Sequence, residues 1–242
     1  MSTGKAWSTV RVDLLQGENS RVCASAIITL ADNNTQGIIL EAGWRLHPPA
    51  HQVDLTRIKT KDDPQWAMYH TAFHAHGFRR GHSYVKNFIP RHLPSEIRYI
   101  EQWICPGWDC TPLGSRDPVL PEARWTSEMI QFAVDMSLPI QENFLPHRTE
   151  EMKGVGSVAA TLGYAASQEE VRKEGKGDWR KLDLDGSQGF DLSFVHVTLS
   201  MTTEVKKLPA EGVRWLYLRT EAKCIRNGMM DLEILVFDDS MV

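Results

Sequence analysis

The chain has 242 residues, which is long for one domain and sufficient for two small ones. Hydrophobic residues make up 42% of it and charged residues 24%, a globular composition that excludes a mostly disordered chain or a fibrous repeat. The formal net charge is -4, whereas proteins that bind nucleic-acid phosphates are usually basic. We therefore expect no nucleic-acid partner.

No apolar run approaches the ~18–20 residues that a bilayer span requires, so no membrane span is predicted. The N-terminus lacks the apolar core of a secretory signal peptide. The four cysteines have the spacing of neither a disulfide framework nor a zinc-binding pair; they are Cys23, Cys105, Cys110 and Cys224. Together these features predict a cytoplasmic protein, with a peroxisomal location left open, and no metal or other cofactor.

Alternating apolar and polar residues at the start of the chain are typical of β-strands. The pattern predicts strands over 10–14, 22–30 and 38–46, separated by turns such as 16–19. An antiparallel meander of this kind requires a second layer to cover its apolar face.

The middle of the chain breaks this pattern. We interpret 47–77 as a connection between two units, with a helix starting near Asp62-Asp63-Pro64. A short strand is predicted over 82–89. Residues 92–124 are rich in Pro, Gly and Trp and are interpreted as a long loop containing a strand near 100–104.

The clearest helix is predicted over 126–136, because its apolar residues recur on one face and Pro139 then ends it. The apolar residues are Trp125, Met129, Phe132 and Met136. The charged, Gly-rich segment 147–190 is interpreted as a solvated insertion or lid. Within it, Ser167 to Glu170 fits a capping box of a short surface helix.

Strand patterns return in the last part of the chain, over 194–205, 215–225 and 230–237. Asn227-Gly228 between two apolar runs predicts a tight β-hairpin. The order of strand, helix, insertion and three strands indicates an α+β domain, in which an antiparallel sheet wraps around a central helix.

Seven short segments occur in a definite order along the chain. They are Trp44 to Pro49, Val53 to Leu55, Asp63 to Trp66, Phe88 to Arg91, Arg124 to Met136, Leu208 to Leu216, and Ala222 to Glu233. In this order they resemble the double-hotdog acyl-CoA thioesterase-like family, in particular the thioesterase-like proteins abundant in fungal genomes and related to bacterial thioesterase II.

The resemblance implies two hotdog halves side by side. Residues 1–77 correspond to a partial N-terminal hotdog meander and linker, and 78–242 to a C-terminal hotdog domain that carries the insertion. Because the family's first strand and helix precede the point where this chain begins, the N-terminal half is expected to be incomplete. Its apolar face then needs a cover, which favours a homodimer.

The family's chemistry is the hydrolysis of an acyl thioester by a water that an Asp, a Thr and a Gln hold in place. Carried over by motif, the Asp is Asp135 and the Thr is Thr198, with Thr202 and Thr203 close enough to leave the register open. The last-strand Gln has no counterpart. From the residues alone, Asp135 is better explained as a helix-end carboxylate that caps or pairs locally, and the resemblance makes the catalytic role an equal alternative.

Other candidates follow from their positions. His196, Thr202 and Phe132 are possible pocket residues, and the basic residues Arg79, Arg80, Lys86 and Arg91 are possible contacts for the phosphates of CoA. A charged, solvated sheet edge explains the basic residues as well. His70, His74 and His76 are interpreted as a structural or interface group, and no metal site is predicted.

Two further functions stay open at this point. The missing Gln and the insertion also fit a non-hydrolytic hotdog protein, which would bind or transform a polyketide-like or acyl ligand as a dehydratase, isomerase or cyclase does. The short ends also fit a catalytically inactive, truncated paralogue. The favoured prediction is a thioesterase whose ligand is an acyl-CoA or acyl-carrier thioester.

Overall fold

A computed structural model describes eleven parts of the chain, with gaps between them. They are residues 7–31, 40, 42–60, 63–70, 81–82, 84–92, 97–107, 122–144, 157–175, 197–209 and 211–241. The structure divides into two compact units, 1–49 and 50–242.

The first unit contains an antiparallel hairpin of β1 (Trp7–Gln16) and β2 (Arg21–Ala31). The two predicted strands and their turn are confirmed. Gly17, with a φ of 73°, takes the left-handed conformation that this turn needs. The third predicted strand is wrong for the described residues 40 and 42–46, which form no strand. Gly43 has a φ of 69°, which is incompatible with extended strand geometry.

One face of this hairpin is apolar, as the alternation predicts. Val10 pairs with Ile28 and Val12 with Ala26, so these side chains share a face. The large members remain 43–64% exposed; they are Val10, Val12, Leu14, Ile28 and Leu30.

The second unit is built on a five-stranded antiparallel sheet of order β3-β4-β5-β6-β7. The strands are β3 (Trp66–His70), β4 (Val85–Pro90), β5 (Tyr99–Pro106), β6 (Leu216–Arg226) and β7 (Met229–Asp238). The predicted hairpin at Asn227-Gly228 is confirmed, and both residues have positive φ, as a type I′ turn requires. The α+β class is confirmed, and the arrangement is compatible with a hotdog fold.

The segment predicted to start a helix at Asp63-Pro64 is a strand instead. All five residues of β3 are buried, and the strand pairs with β4 from Trp66 opposite Pro90 to His70 opposite Lys86. The helix prediction was wrong because burial on both faces hides the period-two pattern of a strand. A short helix, α1 (Leu55–Thr60), lies earlier in the chain, where the carboxylate of Asp54 accepts two backbone N–H groups.

The helix predicted over 126–136 is present in shorter form. A 3-10 helix spans Ser127–Met129, α2 spans Ile130–Val134, and a second 3-10 helix spans Ile140–Asn143. Apolar side chains of the first two segments pack with Val85, Ile104, Leu216 and Leu218 of the sheet.

The described part of the predicted insertion is a packed helix, which corrects the interpretation of a solvated lid. Helix α3 (Val158–Lys173) begins at Ser157, whose hydroxyl accepts the N–H of Ala160. Val158 and Ala165 are buried with apolar residues of the sheet. Ser167 is therefore inside the helix, where its hydroxyl donates to Gly163 O, and the predicted capping box is wrong.

The strand predicted over 194–205 is wrong for its described part, 197–205, which forms no strand. Val197 and Leu199 are 68% and 83% exposed. In the described sheet, of order β3-β4-β5-β6-β7, residues 197–205 pair with none of the strands, and their exposed side chains gain no burial that would favour a strand.

Candidate functional site

Asp135 lies at the C-terminal end of α2 and is exposed. The chain just beyond it is fixed by the buried side chain of Gln102 on β5. Its amide donates to Met136 O and accepts from Leu138 N–H, each at 2.9 Å. The carboxylate therefore projects from a short helix whose end is held on the sheet.

The predicted threonines lie in the exposed segment 197–205. Thr203 Oγ1 donates to Gln131 Oε1 at 3.3 Å. Gln131 is on α2, and its carbonyl accepts the backbone N–H of Asp135 at 3.4 Å. The structure thus brings the threonine segment to the helix that carries the aspartate, through Thr203. Within the described residues, no hydrogen bond joins Thr198 or Thr202 to that aspartate.

Phe132, a predicted pocket residue, lies on the same helix and is partly exposed. Its ring centroid is 6.4 Å from that of the buried Trp125. A Cβ atom added at Gly81 would lie 3.1 Å from the Phe132 ring, so the absence of a side chain at Gly81 allows the ring to lie close to the backbone there. His196, Arg79 and Arg80 lie outside the described residues, as do His74 and His76.

The two described basic candidates on or near β4 have different surroundings. Arg91 donates to Glu169 of α3 at 2.9 Å, and Lys173 lies 2.9 Å from the same carboxylate. Hydrogen bonds from Lys173 and then Arg91 lower the pKa of Glu169. Lys86 is half-buried on β4, opposite Cys105 of β5.

A buried charged cluster lies on the face of the sheet opposite to the Gln102 side chain, and sequence reasoning missed it. The carboxylate of Glu101 is hydrogen-bonded to Arg219, to the hydroxyl of Tyr217 and to Nδ1 of His51. Arg219 also donates to Tyr217 Oη at 3.0 Å and lies 4.3 Å from the ring centroid of Tyr99. Burial and then the charge of Glu101 raise the pKa of Tyr217, so its hydroxyl stays protonated and donates.

A cleft opens beside this cluster and encloses about 360 Å³ of empty space, part of it open to solvent. Most of its wall is apolar. The lining residues are His51, Pro90, His92, Ile97, Tyr99, Ile100, Glu101 and Val158.

The one local signal for this cluster is a charged residue inside each of two apolar strands. Glu101 lies in Tyr99–Pro106 and Arg219 in Leu216–Arg226, and each is at most 4% exposed. Charged residues are buried to this extent only when they are paired. The two strands place them directly opposite each other.

His70 lies on β3, in the segment where the sequence predicted a helix. Its backbone N–H and carbonyl are bonded to the side-chain amide of Gln168 at 2.9 and 2.8 Å. Among the residues that the structure describes, no group of three or more His, Cys, Asp or Glu side chains could hold a metal ion. No helix in the described part is long and apolar enough to cross a membrane.

The comparisons with known proteins identify the family. A family model described as "Acyl-CoA thioesterase C-terminal domain" matches residues 2–242. Because the match covers nearly the whole chain, the chain belongs to this family of acyl-CoA thioesterase domains. No curated protein and no solved structure matches the chain significantly. The resemblance to thioesterases is confirmed at this level, while the double-hotdog arrangement and the fungal relatives stay predictions.

Proposed function

We propose that the protein hydrolyses an acyl-CoA or acyl-carrier thioester at a site formed by the end of α2 and the segment 197–205. The observation that carries this proposal is the hydrogen bond between Thr203 and Gln131, because it ties the threonine segment to the helix that ends at Asp135. Membership of the acyl-CoA thioesterase family supplies the reaction class.

In this mechanism Asp135 accepts a proton from a bound water as the water oxygen attacks the thioester carbonyl carbon. The C–S bond of the resulting tetrahedral intermediate then breaks, the thiolate leaves and is protonated, and the acid is released. Thr198 orients the water by hydrogen bonding, with Thr202 or Thr203 as the alternative in the open register.

Gln131 provides a second polar group for the same water. Its side-chain oxygen accepts a hydrogen bond from the hydroxyl of Thr203 at 3.3 Å. It lies one helical turn before Asp135, so the two side chains occupy neighbouring positions on the helix surface. We propose that this amide helps to hold the attacking water, which in the family is a role of the last-strand Gln that has no counterpart here.

The experiment measures thiol release from short-, medium- and long-chain acyl-CoAs. We expect Asp135→Asn to lower kcat about 100-fold, the usual contribution of a positioned acid–base group. Glu128→Gln is the matched control, since Glu128 is an exposed carboxylate just before α2. Equal loss in both variants, or undiminished turnover in Asp135→Asn, contradicts the proposal.

The proposal extends to how CoA is held and to how the chain assembles. Lys86 and its basic neighbours would contact the phosphates of CoA. For Arg91, the phosphates would compete with the ion pair that this residue forms with Glu169.

We also propose a homodimer in which the exposed apolar face of the β1-β2 hairpin is covered by a second copy. Light scattering would show a dimer, and Val12→Lys would shift it to the monomer. A monomeric wild-type chain contradicts this part.

A further inference from the structure

The buried cluster around Glu101 holds one carboxylate in a single position. One carboxylate oxygen is hydrogen-bonded to Arg219 and Tyr217, both on the neighbouring strand, and the other is hydrogen-bonded to His51. The Glu101 side chain is 1% exposed and that of Arg219 is 4% exposed. The opposite charges of these two residues compensate each other in a buried environment.

His51 differs from its partner, because 46% of its side chain is exposed. The Glu101 carboxylate bonds to Nδ1, which in a neutral imidazole places the proton on Nδ1 and the lone pair on Nε2. Among the described residues Nε2 makes no hydrogen bond. The backbone beside His51 is itself held, since Trp66 Nε1 donates to Gln52 O at 3.1 Å.

The cleft that His51 lines is suited to a small acyl group. Pro90, Ile97, Ile100 and Val158 provide apolar wall, and the imidazole of His92 provides a second polar group. Because the empty space of about 360 Å³ includes open solvent, the enclosed part of the cleft is smaller, and only a small acyl group fits beside His51.

From this geometry we propose that His51 is the general base of a second hydrolytic site, specific for small acyl esters, and that Glu101 is the positioning residue that orients it. A water oxygen attacks the ester carbonyl carbon while His51 Nε2 takes the water proton. The bond between the carbonyl carbon and the alcohol oxygen then breaks, and the leaving oxygen receives that proton. Ester and water become acid and alcohol, and His51 returns to its neutral form.

This site is separate from the one proposed for thioesters. Glu101 and Gln102 are consecutive on β5 and project to opposite faces of the sheet. Gln102 holds the turn after α2, whereas Glu101 holds His51. The second activity therefore does not depend on the thioesterase proposal.

The test is the hydrolysis of p-nitrophenyl acetate by the full chain, with p-nitrophenyl octanoate for comparison. We expect the acetate to be preferred and His51→Gln to lower the rate about 100-fold. His47→Gln is the matched control, because His47 is an exposed histidine outside the cleft lining and its variant should retain the wild-type rate. An unchanged rate in His51→Gln, or a preference for the octanoate, overturns the proposal.

Two further measurements separate chemistry from structure. Added imidazole should restore hydrolysis to His51→Ala, above the rate that imidazole gives without protein, and failure to do so overturns the role of His51. For Glu101→Gln we expect a lower kcat with little change in KM. A raised KM with unchanged kcat would overturn the positioning role. If loss of the Arg219 partner unfolds this variant, the imidazole result still decides the proposal.

Discussion

Glu101 and Gln102 are consecutive on β5, yet they anchor different parts of the second unit. Gln102 bonds Met136 O and Leu138 N–H at 2.9 Å each, and Glu101 bonds Nδ1 of His51. Successive side chains of a strand point to opposite faces. A single strand therefore positions the turn after α2 on one face and an acid–base pair on the other.

The first prediction concerns Gln102→Leu. This change leaves the buried Met136 carbonyl and Leu138 N–H without their partner, at a cost of about 2–4 kcal/mol in the free energy of unfolding. Urea unfolding measures it. Gln65→Leu, at an exposed position, should change stability by no more than about 0.5 kcal/mol. If the two variants are equally stable, Gln102 does not hold this turn.

The second prediction concerns the edge of the sheet. Gln168 is fully buried on α3, and its amide bonds both backbone groups of His70, as a neighbouring strand would. Gln168→Leu should cost about 2–4 kcal/mol and speed hydrogen exchange of the His70 amide, because both groups lose their partner. The exposed Glu170→Ala is the control. Unchanged exchange at His70 would show that α3 does not close this edge.

The third prediction is a pH dependence of stability. Lys173 and Arg91 lower the pKa of Glu169 below its ordinary value of 4.5, so their stabilisation is present above that value and is lost as pH falls through the lowered pKa. The side chains of Arg91 and Glu169 are about one-third exposed and that of Lys173 is more exposed, so the effect should stay below about 1 kcal/mol.

Urea unfolding of the wild type and Arg91→Ala between about pH 5 and about pH 3 measures this effect. The difference in stability between the two proteins should shrink as the pH falls and Glu169 is protonated. A difference that stays constant over this range would show that the Arg91–Glu169 pair contributes nothing through its charge.

Elements with local determinants could be predicted from the sequence. Asn227-Gly228 fixes the register of β6 and β7 because the turn and the alternation agree. The hairpin of β1 and β2 was predicted for the same reason. The family, and with it the reaction class, could be predicted because its characteristic segments occur along most of the chain.

Elements that depend on distant partners could not be predicted. The buried positions of α3 follow helical spacing, but two of the four are polar, Thr161 and Gln168, so the apolar stripe is weak. The pair of Glu101 and Arg219 joins residues 118 positions apart, and nothing local marks either as a partner of the other. The cleft beside His51 depends on that same long-range pairing.

The thioesterase site is tested most directly by kcat/KM for acyl-CoA hydrolysis by the wild type, Asp135→Asn and Gln131→Ala, each checked for native stability. We predict turnover by the wild type, a loss of about 100-fold in Asp135→Asn and a smaller loss in Gln131→Ala. If a folded wild-type chain releases no thiol from any acyl-CoA or acyl-carrier substrate, or if Asp135→Asn retains full activity, the proposed thioesterase site at the end of α2 is wrong.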